Sequence, residues 1–305
     1  MRILVLAEKK KKALPYVHAL RERGAYAKYI RLSKISLVSR NGKTIIKAKD
    51  QELPRCDAIF IQARLSLAPF IEPLLEALKE RGCYINLKEG SYFSGFNEPY
   101  QFVLLATGNI PSPRTLSSGS GKNIERVSKK ISYPLIAKSF KGKTVQQSIV
   151  VNSDRELNSF VNSIKSEIDG FMLREFIEDD VVSCVVIGDG IFAVKRKLSV
   201  NDVMDIDKGT TYRPTDEEKR IAISAAQVCG YDVARVDLVK GRVVKVEPNI
   251  PLEAFNKVCA EKIEDYVASY VIAKAEIGGS KRNLVDDLIE IKGLFSRTIL
   301  GRWRK

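Results

Sequence analysis

Apolar residues along this chain alternate between two rhythms. The run "RILVLA" (residues 2–7) is short and continuous, as in a strand buried on both faces. "KKKALPYVHALRERG" follows with apolar positions at helical spacing and stops at Gly24. The pairing recurs. "CDAIFIQAR" (56–64) reads as a buried strand, "LAPFIEPLLEALKERG" (67–82) as a helix and "CYINL" (83–87) as a further strand. Strand–helix alternation predicts a parallel sheet with right-handed crossovers, in a small α/β domain ending near residue 92.

Beyond that point hairpin signals dominate. "EPYQFVLLATGNIPSPRT" (98–115) starts as a helix that Gly108 stops and continues as an extended Pro-containing segment. "LSSGSGKN" (116–123) reads as a loop and "IERVSKKI" as a short helix. "YPLIAKSF" and "QSIVVNS" flank a turn, "KGKTV", and predict a hairpin. A helix is expected over 154–168 with Asp154 as its cap, then a strand over 170–178. "VVSCVVIGDGIFAVKRKL" (181–198) predicts two strands joined at Gly188-Asp189-Gly190. A helix over 216–230, a hairpin around Lys240-Gly241-Arg242 and a last helix over 255–276 complete the pattern, before a basic amphipathic tail. The expected divisions are 1–92, 93–179 and 180–305.

The hairpin "ARVDLVKGRVVKVEPNIPLEAF" (234–255) sets carboxylates and an amide among Val and Leu. Glu247 and Asn249 are two apart, so on a strand they project together, and the hairpin brings Asp237 opposite. Three hard oxygen donors on one face suit Mg²⁺. The same three also make a solvated strand face over a buried Val244/Val246 face. Lys138 ends the apolar strand "YPLIAK" and Arg196 ends "IFAVKR". Each cation alone can snorkel to solvent. Together with the hairpin they are what a magnesium–polyphosphate site requires, a metal bridging phosphate oxygens and cations neutralising the remainder.

Composition narrows the chemistry. The 51 Lys+Arg exceed the 37 Asp+Glu, for a net charge of +14 that draws anions, whether nucleotides, nucleic acid or an acidic protein. The basic residues are spread out, densest at "EKKKK" (8–12) and "GRWRK", so a solvated surface accounts for them equally. Cys56, Cys83, Cys184, Cys229 and Cys259 form no CxxC pair, and His18, expected on a helix surface, is the single histidine. These counts speak against a Cys/His zinc site and His-based acid–base catalysis, and for reduced thiols in a cytoplasmic protein. Met1 leads straight into a strand and no apolar run is long enough for a bilayer, so no signal peptide, span or membrane partner is expected. Arg64, at the end of a strand, is a candidate contact for a substrate carboxylate or a plain exposed strand end.

Five pieces in order resemble the ATP-grasp superfamily, in the branch of RimK-like carboxylate–amine (glutamate) ligases: "LLATGNIPSPRT", "YPLIAKSFKGKTVQQSIVV", "FMLREFIE", "VVIGDGIFAVKRK" and the 234–255 hairpin. The resemblance implies an α/β (α+β) ATP-grasp fold behind an N-terminal Rossmann-like pre-ATP-grasp domain. It implies that Lys138 contacts ATP phosphates, and that Glu175 with the backbone of Phe176 and Ile177 lines the adenine slot, Glu178 lying near the ribose. Arg196 would meet the γ-phosphate or acylphosphate. Asp237, Glu247 and Asn249 would hold Mg²⁺, or Mn²⁺ in its place. The implied activity is ATP-dependent ligation through an acylphosphate, adding an amino acid such as glutamate to an acidic acceptor. ATP, small carboxylates and amines or an acidic protein are the implied partners, and a homo-oligomer is compatible.

Departures from the family pattern accompany the match. The lid "KSFKGKTVQQS" holds Gly142 as its only glycine, and Lys141 and Lys143 would substitute charge for a backbone cradle. Glu98 stands where a second ATP-contacting lysine is usual, Ser183 where an arginine is usual, and "DIDKGTTYR" replaces a richer Asn/Gly segment. Two other readings remain open: a catalytically silent nucleotide-binding protein, and an RNA- or ribosome-associated factor using its basic surface and the "SKRN…SRTILGRWRK" tail.

Overall fold

The computed structural model of the protein describes residues 1–141, 144–164, 168–198 and 205–279. Lys143 and the basic C-terminal tail lie outside the described residues. The chain opens with β1 (Arg2–Ala7), α1 (Lys10–Glu22) and β2 (Tyr26–Arg31), then β3 (Ile35–Arg40), β4 (Lys43–Ala48) and β5 (Gln51–Glu52). It returns with β6 (Ala58–Gln62), α2 (Ala68–Lys79) and β7 (Tyr84–Ile85). The parallel sheet has the order β2-β1-β6-β7, with Val5 level with Tyr29 on one side and Phe60 on the other. Residues 3–7 and 58–62 are buried on both faces, which is why both strands read as unbroken apolar runs. His18 is exposed on α1.

The three-stranded β3-β4-β5 sheet is not foreseen in the sequence reading. Its signals are present. Ile35 and Leu37 alternate with Ser36, and Asn41 and Gly42 both take positive φ (52° and 74°), as a two-residue hairpin turn demands.

A middle block follows: α3 (Ser91–Phe96), α4 (Glu98–Thr107), β8 (Thr115–Ser118), α5 (Gly121–Ser128), β9 (Leu135–Lys141), β10 (Thr144–Val151), α6 (Asp154–Ser163) and β11 (Gly170–Glu175). Asn97 caps α4, its Oδ1 accepting from the Tyr100 N–H at 3.1 Å, and Gly108 ends it as expected. The segment read as a loop over 116–123 instead contributes β8, which pairs with β11, and the start of α5. The sheet runs β10-β9-β11-β8. The cap of α6 is Ser153, whose Oγ accepts from the Glu156 N–H, and not Asp154, whose carboxylate accepts from the Tyr133 hydroxyl. That helix ends at Ser163, short of the expected 168, and β11 ends at Glu175, short of 178.

The last block contains β12 (Val181–Ile187), β13 (Gly190–Arg196), β14 (Thr210–Thr211), α7 (Asp216–Val228), β15 (Val233–Val239), β16 (Arg242–Glu247), α8 (Leu252–Cys259) and α9 (Ile263–Gly279). Its antiparallel sheet has the order β14-β13-β12-β15-β16. Thr215 and Glu218 form a reciprocal capping box at the start of α7. Two helices replace the single one expected over 255–276. Ala260 adopts a left-handed conformation (φ 52°), and Asn256 Oδ1 accepts from the Ile263 N–H at 3.1 Å, restarting the chain at a new angle.

The first sheet and the five-stranded sheet share one core, in which Leu4, Ile71 and Leu74 join Ala225, Val236 and Val246. Leu87 bridges to Tyr231, and Gln62 Nε2 donates to Pro248 O at 3.3 Å. The carboxyl ends of the parallel strands are thereby set beside the end of β16. Among the described residues no helix is long and apolar enough to cross a membrane.

Candidate active site

Between the β9–β10–β11 sheet and the five-stranded sheet lies a cleft of about 500 Å³, a size that accommodates a small ligand or cofactor. Ile136, Phe140, Val145 and Ile149 form one apolar wall; Val181, Val239 and Val244 face them. Val145 and Ile149 are 41% and 42% exposed, because β10 turns these large side chains toward the open cleft. Such walls suit a flat ring held between two sheets.

The polar groups of the cleft are placed by strands. Lys138 sits in β9 with its side chain 8% exposed, and Nζ donates to both oxygens of Glu98, at 2.9 and 2.7 Å. Glu98 reaches it from the first turn of α4. Arg174 in β11 donates from Nη1 to Glu98 Oε1 at 3.1 Å and to Val244 O at 3.0 Å, with its guanidinium 5.4 Å from the Phe102 ring. Two cations thus converge on one carboxylate. An unpaired ammonium this deeply buried would be costly, and the pairing offsets that cost.

The β15–β16 hairpin differs from expectation in register. Lys240 and Gly241 take positive φ (48° and 69°), giving the tight turn read from the sequence. Asp237 lies opposite Lys245, however, and Glu247 lies opposite Arg235. The register then slips: Leu238 pairs with Val243, leaving Val244 as the extra residue of a bulge. Val243 and Val246 are the fully buried valines, while Val244 faces the cleft, correcting the expected Val244/Val246 face. Strand β16 ends at Glu247, so Asn249 lies beyond it and outside the cleft lining.

Arg235 decides the charge of this face. Its side chain is fully buried, with Nε 3.3 Å from Asp237 Oδ1 and Nη2 2.9 Å from Glu247 Oε2. Arg196 Nη2 lies 3.5 Å from Asp237 Oδ2, and its Nε donates to Ser183 Oγ at 3.0 Å. Lys245 Nζ lies 3.1 Å from Glu247 Oε1. Behind this face the Cys184 thiol is pushed up by burial, and further by the Asp237 charge, so it stays protonated.

Glu175, Phe176 and Ile177 line the cleft, whereas Glu178 is exposed and outside the lining. The Phe176 N–H is already used, donating to Pro134 O at 3.0 Å. The Glu175 carboxylate accepts from Arg242 Nη1 at 2.7 Å, tying β11 to β16. Lys141 is exposed at the end of β9 and outside the lining; Lys143 lies outside the described residues. Arg64 is also outside the cleft, holding Glu8 through Nε at 2.8 Å and Nη2 at 2.7 Å. Burial works against ionising Glu8, but the Arg64 contacts outweigh it and hold the carboxyl below its usual range. Sequence reasoning missed Arg174 and Arg235. The signal for Arg235 was its two-residue spacing from Asp237 in an apolar strand, where a buried cation requires partners on its own face.

A cleft between two antiparallel sheets, with strand-borne cations and a diacid hairpin, meets its match in family comparison. Residues 100–271 match the RimK-like ATP-grasp domain. The chain belongs to the RimK-like ATP-grasp family. It is 26% identical over 238 residues to the "Probable alpha-L-glutamate ligase" of Legionella pneumophila (strain Corby), covering 73% of this chain and 78% of that one. The beta-citrylglutamate synthase B of Danio rerio is 20% identical over 216 residues, 66% of this chain and 53% of that one. The same fold occurs in the ATP-grasp ligase PsnB complexed with minimal precursor, Mg and ADP (TM-score 0.67, 16% identity, 90% of this chain and 98% of that one). It occurs also in a RimK domain ATP-grasp protein from Sphaerobacter thermophilus DSM 20745 (TM-score 0.66, 16% identity, 89% and 100%). This RimK-like protein is an ATP-dependent carboxylate–amine ligase.

ATP-grasp ligases use ATP and Mg²⁺. In this RimK-like protein Asp237 and Glu247 are donors of the right chemistry, yet each of their four oxygens already faces a cationic nitrogen. The position bridging the two carboxylates is filled by the Arg235 guanidinium, so the residues as arranged do not fit a metal there.

Proposed function

We propose that the protein activates a carboxylate as an acylphosphate and joins it to an amine, with an amino acid such as glutamate as one substrate and an acidic acceptor as the other. The observation carrying this reading is the convergence of Lys138, Arg174 and Arg196 on a cleft with apolar walls. A base enters between the valine-rich walls and the triphosphate runs toward the cations. A substrate carboxylate oxygen attacks the γ-phosphorus, the bond to the β-phosphate oxygen breaks and ADP leaves. The amine then attacks the acyl carbon, the carbon–oxygen bond to phosphate breaks, and the nitrogen sheds its proton to solvent.

No protein nucleophile is required. His18 is exposed on α1, and the thiols of Cys184 and Cys229 are buried and raised in pKa, by burial first. Catalysis rests on positioning and charge neutralisation. Arg196, held by Ser183 and Asp237, is the cation assigned to the transferring phosphoryl group. Substrate enters from the carboxyl ends of β1 and β6, where Arg64 sits, the edge at which ligands of open parallel sheets bind. The free thiols suit a reducing compartment such as the cytoplasm.

The test is acceptor-dependent ADP release across amino acids and acidic proteins, with hydroxylamine present to trap the acylphosphate as a hydroxamate. ADP and hydroxamate together support the reading. ADP release without hydroxamate would overturn the acylphosphate route, and ADP release without dependence on an acidic acceptor would overturn the acceptor assignment.

A further inference from the structure

We infer that Arg235 is a built-in cation that occupies the bridging position between Asp237 and Glu247 and replaces a divalent metal ion there. Three observations carry this. Arg235 and Glu247 are directly opposite in the β15–β16 ladder, and Asp237 is two residues along β15 on the same face, so a side chain from Arg235 passes between the two carboxylates. Its Nε and Nη2 lie 3.3 and 2.9 Å from one oxygen of each, an ion-pair contact to both carboxylates at once. The remaining oxygens are met by Arg196 and Lys245, so two negative charges already face three positive ones. A divalent ion added between them would be repelled by all three cations.

This cation is fixed. Residue 235 is in the interior of β15, paired with β12 on one side and β16 on the other, and its side chain has no exposed surface. A guanidinium also stays charged at every pH a folded protein tolerates. The site is therefore neutralised before any ligand arrives, and the phosphates meet a protein-borne charge.

The decisive measurement is Mn²⁺ binding to the nucleotide-free protein, read from the loss of the free-ion electron paramagnetic resonance signal. It uses no nucleotide and so judges Arg235 apart from the ligase reading. The wild type should bind no Mn²⁺ through Asp237 and Glu247. Arg235→Gln, which keeps most of the volume and removes the charge, should gain one site at least tenfold tighter, and adding Asp237→Asn should abolish it. ADP should bind the wild type about equally in Mg²⁺ and in EDTA, and Arg235→Gln only in Mg²⁺. One wild-type Mn²⁺ site that is lost in Glu247→Gln overturns the inference, and so does a folded Arg235→Gln that gains no site. Should Arg235→Gln not fold, the wild-type Mn²⁺ titration against Glu247→Gln still decides. Absence of ADP binding in both proteins would count against the nucleotide reading alone.

Discussion

Glu98 and Lys138 form a two-point ion pair inside the cleft, with Nζ 2.9 Å from one carboxylate oxygen and 2.7 Å from the other. Arg174 reaches the same carboxylate. If these cations hold phosphates, as proposed, an acidic group occupies their contact position and entering nucleotide would break the pairing. Glu98→Gln should tighten ATP binding about tenfold, or about 1.4 kcal/mol, and leave adenosine unchanged. Isothermal titration of both ligands checks this. Weaker ATP binding in the variant would mean that Glu98 orients the cations and does not compete for them.

Lys138→Ala should cost roughly 1.5–3 kcal/mol of ATP binding, the range for a hydrogen bond to a charged group. Adenosine affinity should hold, because the apolar walls are untouched. Lys141→Ser, at an exposed position outside the lining, should cost much less. Equal losses for ATP and adenosine in Lys138→Ala would remove Lys138 from the phosphate site.

Arg196→Ala should lower acceptor-dependent ADP formation at least about a hundredfold, as the loss of a preorganised charge contact does. In the proposed role its task would arise as charge moves in phosphoryl transfer, so ATP affinity should fall far less. Comparing kcat with the ATP dissociation constant separates the two. A proportionate loss in both would make Arg196 a binding group only.

Gln101 docks α4 on β16 as though it were a further strand. Its Nε2 donates to Val246 O at 2.8 Å and its Oε1 accepts from the Val246 N–H at 3.0 Å, both buried. Gln101→Leu leaves a buried amide and carbonyl unpaired, at a cost of about 3 kcal/mol in stability. Urea unfolding would show it as a lower midpoint with unchanged slope.

Alkaline pH should destabilise the fold in a definable window. Burial, followed by the hydrogen bond to Asp154, pushes Tyr133 up to about 12. A phenol that ionises later in the folded state than in the unfolded one keeps its full contribution below pH ~10 and loses it between ~10 and ~12. Tyr84, part-buried and donating to Asp232 at 2.7 Å, is also raised, by burial first, and acts in the same direction. Stability should therefore decline from pH 10 upward, and Tyr133→Phe should reduce that decline. A decline of equal size in the variant would exclude Tyr133 as its source.

Local pattern and tertiary arrangement contribute differently to this molecule. The buried strands β1 and β6 are short, almost wholly apolar runs, β12 and β15 interrupt theirs only with Ser183, Arg235 and Asp237, and the turns at Gly188 and Lys240-Gly241 announce themselves by residue type, since positive φ selects glycine there. Lys138, Arg196, Asp237 and Glu247 were legible because polar residues in apolar strands need a reason to be there. The β3–β5 sheet escaped notice because its strands are largely exposed, so the alternation at Ile35 and Leu37 does not extend over a whole strand.

By itself, then, the sequence determined the buried strands, most helices and the cluster of chemically distinctive side chains, because those follow from periodicity and turn chemistry within a few residues. Only the tertiary structure decided what those side chains face. The bulge at Val244 moved the register by one residue, which set Asp237 against Lys245 and left Asn249 beyond the strand. The docking of α4 brought Glu98, forty residues away in sequence, onto Lys138. The burial of Arg235 between two carboxylates turned an apparent metal diacid into a neutralised face. Register and charge pairing are properties of two strands or two sheets together, and no single stretch of chain encodes them.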